Sequence, residues 1–185
     1  MALKKLPYKR LQHLVGIHLS TKESPTTQIL IHELSSSKKR GYLAKLELIK
    51  VCRWKSPRAI RHIQRNRAKT VVNVTRAAFA TRNEQKKLLL LTDLYGVSVP
   101  MASSILMLTN PKRYGVIDIR VWQLLFKMGS VNTNKKGVRF NFNEWYRYLM
   151  IIRYFARMYK VGARDIERTL FGVHELYQKG TLYNN

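Results

Sequence analysis

Apolar residues recur along most of this chain at intervals of three and four, the spacing that lines one side of an α-helix. Between Arg40 and Trp54 the apolar positions Leu43, Leu46 and Ile49 to Cys52 follow it and predict an amphipathic helix. Further helices are predicted over Ala68 to Thr81 and Asn83 to Leu94, and a last one over Arg164 to Gln178. The stretch from Phe142 to Lys160 is apolar at Trp145, Leu149, Ile152, Ala156 and Tyr159 and in much of the remainder, which predicts a helix at the centre of the molecule. Ser24-Pro25 and Ser56-Pro57 each set a capping residue before a proline at the first helical position, predicting helices near 25–35 and 57–66. Asn141 and Glu144 have the spacing of a capping box. No strand alternation persists, and residues 129–141, rich in Gly, Asn and Lys, form the longest irregular stretch. Residues after Gly180 are expected to fray. The expectation is an all-α chain of about nine to ten helices forming a single domain over residues 1–185.

Charge sharpens this picture. Thirty-five Lys and Arg face only ten Asp and Glu, a formal net charge of +25, which repels itself in the folded state and attracts polyanions. Ten of the cations lie between Leu48 and Asn83, where there is no acid. Arg58, Arg61 and Arg65 share one helical face, and so do Arg153, Arg157 and Lys160; Lys38, Lys39 and Arg40 read as a loop cluster. A stripe of one sign fits a nucleic-acid backbone. Cys52 is the only cysteine, so an internal disulfide or a four-cysteine iron–sulfur cluster is excluded. The five histidines have no metal-ligand spacing, so no metal and no cofactor is expected. No apolar run approaches a membrane span and the N-terminus has no signal-peptide core, so the expectation is an intracellular protein, cytoplasmic and nucleoid-associated or nuclear.

The most specific chemistry lies between Leu88 and Phe126. Tyr95-Gly96 ends one helix, Val97-Ser98-Val99 follows, and Pro100 restarts a helix. Free backbone N–H groups at such a turn, here Gly96, Val97, Ser98 and Val99, form an anion site that grips a phosphate without reading sequence. Asn110-Pro111 then breaks the second helix, and Val116-Ile117-Asp118-Ile119-Arg120-Val121-Trp122 leads into a third with Asp118 at its mouth. On its own, Asp118 reads as an N-cap, and the two helices as an αα-corner.

Together, the turn at Tyr95-Gly96-Val97 and the Val-Ile-Asp-Ile-Arg-Val-Trp run resemble the helix-hairpin-helix DNA glycosylase superfamily, tightly over residues 84–128. The resemblance implies a helical bundle around a cleft, with the hairpin over 84–109 and the helix of the catalytic aspartate over 118–128. It implies excision of a damaged, mismatched or modified base from double-stranded DNA by a monomer, in base excision repair or in defence against foreign DNA, with Asp118 as the catalytic residue. Two departures matter. The second hairpin glycine is replaced by Ser98, and the position of the lysine nucleophile of the bifunctional members is Pro100, which implies a monofunctional hydrolase without a lyase lysine.

Breaking a base–sugar bond builds positive charge on the deoxyribose, and a nearby carboxylate stabilises that charge and can activate water. A helix N-terminus favours a negative charge at Asp118. Candidate backbone contacts are Arg58, Arg61, Arg65, Lys112, Arg113 and Arg120. A flipped base needs flat walls, for which Trp54, Tyr42 and Trp122 are candidates, with Glu47 as a polar contact and Asp165 as an outsider. Two other readings stay open: a hairpin-containing DNA-binding module without catalysis, and a helical RNA-binding protein.

Overall fold

The computed structural model describes residues 2–180, and the expected fraying after Gly180 concerns residues that lie outside that range except for Gly180 itself. Ten α-helices account for nearly all regular structure among the described residues. The exception is one antiparallel pair of two-residue strands, β1 (Ala2–Leu3) with β2 (Gln178–Lys179), which ties the two ends of the chain together. No helix among the described residues is long and apolar enough to cross a membrane.

The first helices are α1 (Leu11–His18), α2 (Pro25–Arg40) and α3 (Lys45–Lys55). Ser24 caps α2 by accepting from the Thr27 N–H at 3.3 Å, with Pro25 behind it as expected. The helix runs further than predicted, to Gly41, whose φ of 84° ends it in a left-handed cap. Lys38, Lys39 and Arg40 are therefore its last turn and not a loop, where cations complement the carbonyl end of the helix. The helix predicted over 40–54 is α3, which starts only at Lys45, because Glu47 accepts the Ala44 N–H at 2.6 Å and fixes its first turn there. Ser56-Pro57 opens a 3-10 turn over Pro57–Ala59 that continues into the short α4 (Ile60–Gln64).

Then come α5 (Ala68–Ala80), α6 (Glu84–Thr92) and α7 (Val99–Thr109). Every residue of α7 from Met101 to Thr109 is buried. It packs against α2, α3 and α6 and is the central helix of the molecule. The sequence pattern had assigned that place to Phe142–Lys160. The helix found there, α9 (Phe142–Tyr159), is instead one-sided: Trp145, Tyr148, Leu149, Ile152 and Phe155 are buried, whereas Tyr146, Met150, Tyr154 and Met158 are exposed. The aromatic residues that made it look uniformly apolar can lie on a surface as well as in a core. The capping box at its start is present, with Asn141 accepting from Glu144 N at 3.0 Å and Glu144 accepting from Asn141 N at 2.9 Å.

Between these lies α8 (Ile119–Lys127), and α10 (Ala163–Tyr177) closes the chain. α10 packs against α1, α8 and α9. The molecule thus has two groups of helices, α2 to α7 around α7, and α8 to α10 with α1. Buried ion pairs lace them together. Glu84 of α6, 9% exposed, takes Arg153 of α9 at 2.8 Å and Arg113 at 2.9 Å. Burial opposes the charge on Glu84, but the two guanidiniums overcome it and hold its carboxyl below the ordinary range. Across the other end, Arg164 of α10 joins Glu23, before α2, to Glu167.

Candidate functional site

Residues Tyr114 to Ile117 thread between the two groups, all buried, and deliver Asp118 to the seam. Gly115 makes this passage feasible. A Cβ there would lie 2.7 Å from the Tyr148 hydroxyl, 2.8 Å from Glu167 Cβ and 2.9 Å from Ile152 Cδ1. Side chains satisfy the buried backbone that follows. Ile117 N–H donates to Ser103 Oγ at 3.1 Å, Val116 N–H to Glu167 Oε2 at 3.4 Å, and the Tyr148 hydroxyl donates to Val116 O at 3.0 Å. Complete burial, with the charge of Glu167 adding to it, pushes the Tyr148 phenol well above its usual pKa, so it remains a donor. Burial also raises Glu167, against the pull of Arg164. Helices α7, α9 and α10 therefore jointly fix where Asp118 stands.

Asp118 is the N-cap of α8. Its Oδ1 accepts from Arg120 N at 2.8 Å and Val121 N at 3.3 Å. Its Oδ2 faces Lys55 Nζ at 3.7 Å, with the two side chains 19% and 21% exposed. One oxygen holds the helix and the other is turned to an amine and to open space. The sequence reading found no amine at the Pro100 position; the structure brings one from the end of α3.

Two cavities meet at Asp118 and Lys55. The first, about 370 Å³, is bounded by the α6–α7 turn at Gly96 and Ser98, by Arg58 near α4 and by Arg139. The second, about 460 Å³, is bounded by Trp54 of α3, by Glu23 and Ser24, and by Arg164, Arg168 and Phe171 of α10. The carboxylate thus separates a cationic cavity from one with aromatic walls.

The α6–α7 turn is built from α4. Asn66 donates to Tyr95 O at 2.9 Å and accepts from Tyr95 N at 2.9 Å, and the Arg65 guanidinium stacks 4.9 Å from the Tyr95 ring centre. Gly96 has φ 78°, and a Cβ there would lie 2.8 Å from His62 Cβ and 3.1 Å from Ile63 N. This turn needs glycine for both its dihedral and its contact. Within the turn, Val97 is not a free donor, because its side chain is buried and its N–H bonds to Leu94 O at 3.0 Å. The second helix begins at Val99, with Pro100 in its second position.

Other sequence-predicted positions divide. Trp54 lines the aromatic cavity, as expected. Trp122 does not: it is fully buried, and its indole N–H donates to Asn134 O at 2.9 Å, fastening the 129–141 loop onto α8. That loop carries Arg139, which the sequence reading overlooked, to the cationic cavity. Tyr42 lies between Arg40 and Arg76, at 4.6 and 4.8 Å from their guanidinium carbons, and borders neither cavity. Glu47 is engaged by Arg40 and by its own helix start, and Asp165 by Gly162 N at 2.8 Å. Arg120 is not free to meet a phosphate, because it pairs with Glu175 and lies over Phe171 at 4.9 Å. Lys112 and Arg113 border a separate groove with Arg153 and Arg157. Arg58, Arg61 and Arg65 are all exposed. Among the described residues, no group of three or more His, Cys, Asp or Glu could hold a metal ion.

The chain has no match among protein-family models, among curated proteins or among solved structures.

Proposed function

We propose that this protein is a monofunctional DNA glycosylase of the helix-hairpin-helix type, which takes a damaged, mismatched or modified base out of double-stranded DNA and hydrolyses its bond to the sugar. The observation that carries the reading is the position of Asp118 at the border of the two cavities, with Oδ2 not engaged by its own helix. On this reading the α6–α7 turn and Arg58 hold the backbone, and the flipped base enters the cavity beside Trp54. The glycosidic carbon then lies over Asp118, whose carboxylate steadies the developing positive charge and orients water. Lys55 pairs with that carboxylate and faces the same backbone.

A panel of duplexes carrying uracil, oxidised purines, alkylpurines, mismatches or modified cytosines tests this. Base release leaving an alkali-labile abasic site is expected for at least one class, and borohydride is expected to trap no covalent adduct. Release from none of them, with salt-sensitive duplex binding intact, would favour a non-catalytic DNA-binding module. Strong preference for structured RNA over duplex at matched salt would defeat both readings.

A further inference from the structure

The aromatic cavity has an uneven supply of hydrogen-bonding groups. Its carboxylates are engaged. Glu23 accepts from Arg164 at 2.7 Å, from Arg168 Nε at 3.1 Å and from Ser24 N at 2.9 Å. Glu167 holds Arg164 and the Val116 N–H, and Glu175 holds Arg120. The donors are not all engaged: Arg168 Nη1 is buried and has no partner. A buried guanidinium N–H without an acceptor is costly, so a ligand that supplies one is favoured there.

The aromatic walls add a second constraint. The Arg164 guanidinium already lies over Trp54, 5.8 Å from the ring centre, and Arg120 lies over Phe171 at 4.9 Å. The Trp54 N–H is committed to Thr27 Oγ1 at 3.0 Å, so that ring contributes a face and no polar edge. A cationic ligand gains little from rings whose π-charge already serves a guanidinium, and is repelled by Arg164, Arg168 and Lys55. A neutral flat ligand meets no such penalty. The volume of about 460 Å³ is within the range that holds small molecules, ~300–1,000 Å³.

We infer that this cavity selects a neutral base presenting a carbonyl oxygen, which accepts from Arg168 Nη1 while the ring packs between Trp54 and Phe171. Uracil, thymine, hypoxanthine and 8-oxoguanine belong to this class; positively charged N-alkylpurines do not. The inference rests on the base-excision reading of Asp118 and narrows its substrate.

The test is equilibrium binding by Asp118→Asn protein, which retains bound substrate. The probes are labelled duplexes holding one uracil, one hypoxanthine, one 8-oxoguanine, one 7-methylguanine cation or one abasic analogue. At least one carbonyl base is expected to bind about tenfold or more tighter than the abasic duplex, and 7-methylguanine no tighter than it. Adding Arg168→Met should bring the carbonyl-to-abasic ratio close to one. Adding Arg168→Lys, which keeps the charge beside Glu23 but loses the guanidinium fork, should do the same, so a folding defect in the first variant does not decide the outcome. A preference for 7-methylguanine, equal affinity for all five duplexes, or a ratio untouched by both Arg168 variants overturns the inference. Selective binding that depends on Arg168, without base release by the unsubstituted protein, overturns hydrolysis and leaves the pocket standing.

Discussion

Replacing Asp118 by Asn and by Ala separates its two roles. Oδ1 accepts two N–H groups of α8, and Asn and Asp are equally good caps, so Asn preserves that contribution while Ala removes about 1 kcal/mol. The contact with Lys55 at 3.7 Å joins two partly exposed groups and contributes ~1 kcal/mol at most. Asp118→Asn should therefore destabilise the fold by less than about 1 kcal/mol and Asp118→Ala by about 1–2 kcal/mol. Chemistry should respond very differently. A carboxylate about 4 Å from a unit positive charge, at an effective dielectric constant of about 20, stabilises it by about 4 kcal/mol. Losing that raises the barrier enough to slow turnover by about 10³-fold. Both variants should lose it, although only one loses the cap. Single-turnover base release at saturating protein measures the first effect and urea unfolding the second. Duplex affinity should hold or rise, since a negative charge leaves a cationic surface. Base release by Asp118→Asn within about threefold of the unsubstituted protein would refute the catalytic role, and so would losses that follow the two stabilities.

Other outcomes can be measured alongside. Gly96→Ala forces a left-handed φ of 78° on an L-residue and sets its Cβ against the backbone of α4, a combined cost of about 2–4 kcal/mol by urea unfolding; less than about 1 kcal/mol would mean that the turn can relax. Replacing Arg58, Arg61 or Arg65 by Gln should reduce the slope of log affinity against log salt by about 1 each, without changing preference among DNA sequences. His174 is buried in α10, and burial first, then Arg120, lowers its pKa from 6.5 to about 4. The folded state favours the neutral ring, so this contribution is complete above pH 6.5 and is lost as pH falls toward 4. About 2 kcal/mol should disappear across that window after allowance for screening, and His174→Gln should flatten the loss.

Local signals made much of the helical framework readable. Ser24-Pro25, Ser56-Pro57, Asn83 and Asn141 with Glu144 each start a helix or helical turn where their chemistry predicts one. Gly96 stands at the turn and Asp118 at the head of α8, and both border one cavity. What could not be read is what tertiary packing decides. The full burial of α7 rather than α9 depends on which apolar face finds partners, and single-helix periodicity does not contain that information. Trp122 and Trp54 look alike in sequence, yet one pins a loop from inside the core and the other lines a cavity. Lys55, Arg139 and Arg168 reach the site from three distant segments. The signal that could have raised Gly115 was its position between apolar residues directly before the aspartate, where only a bare backbone passes Tyr148 and Glu167.

The Tyr114–Ile117 passage gives Asp118 an address written by helices that are far apart in the chain: Ser103 on α7, Tyr148 on α9 and Glu167 on α10. Sliding of one helical group against the other would displace the carboxylate without melting a single helix. Mild urea should accordingly silence base release before the helical circular-dichroism signal declines, making catalysis the more sensitive gauge of how tightly the seam is shut.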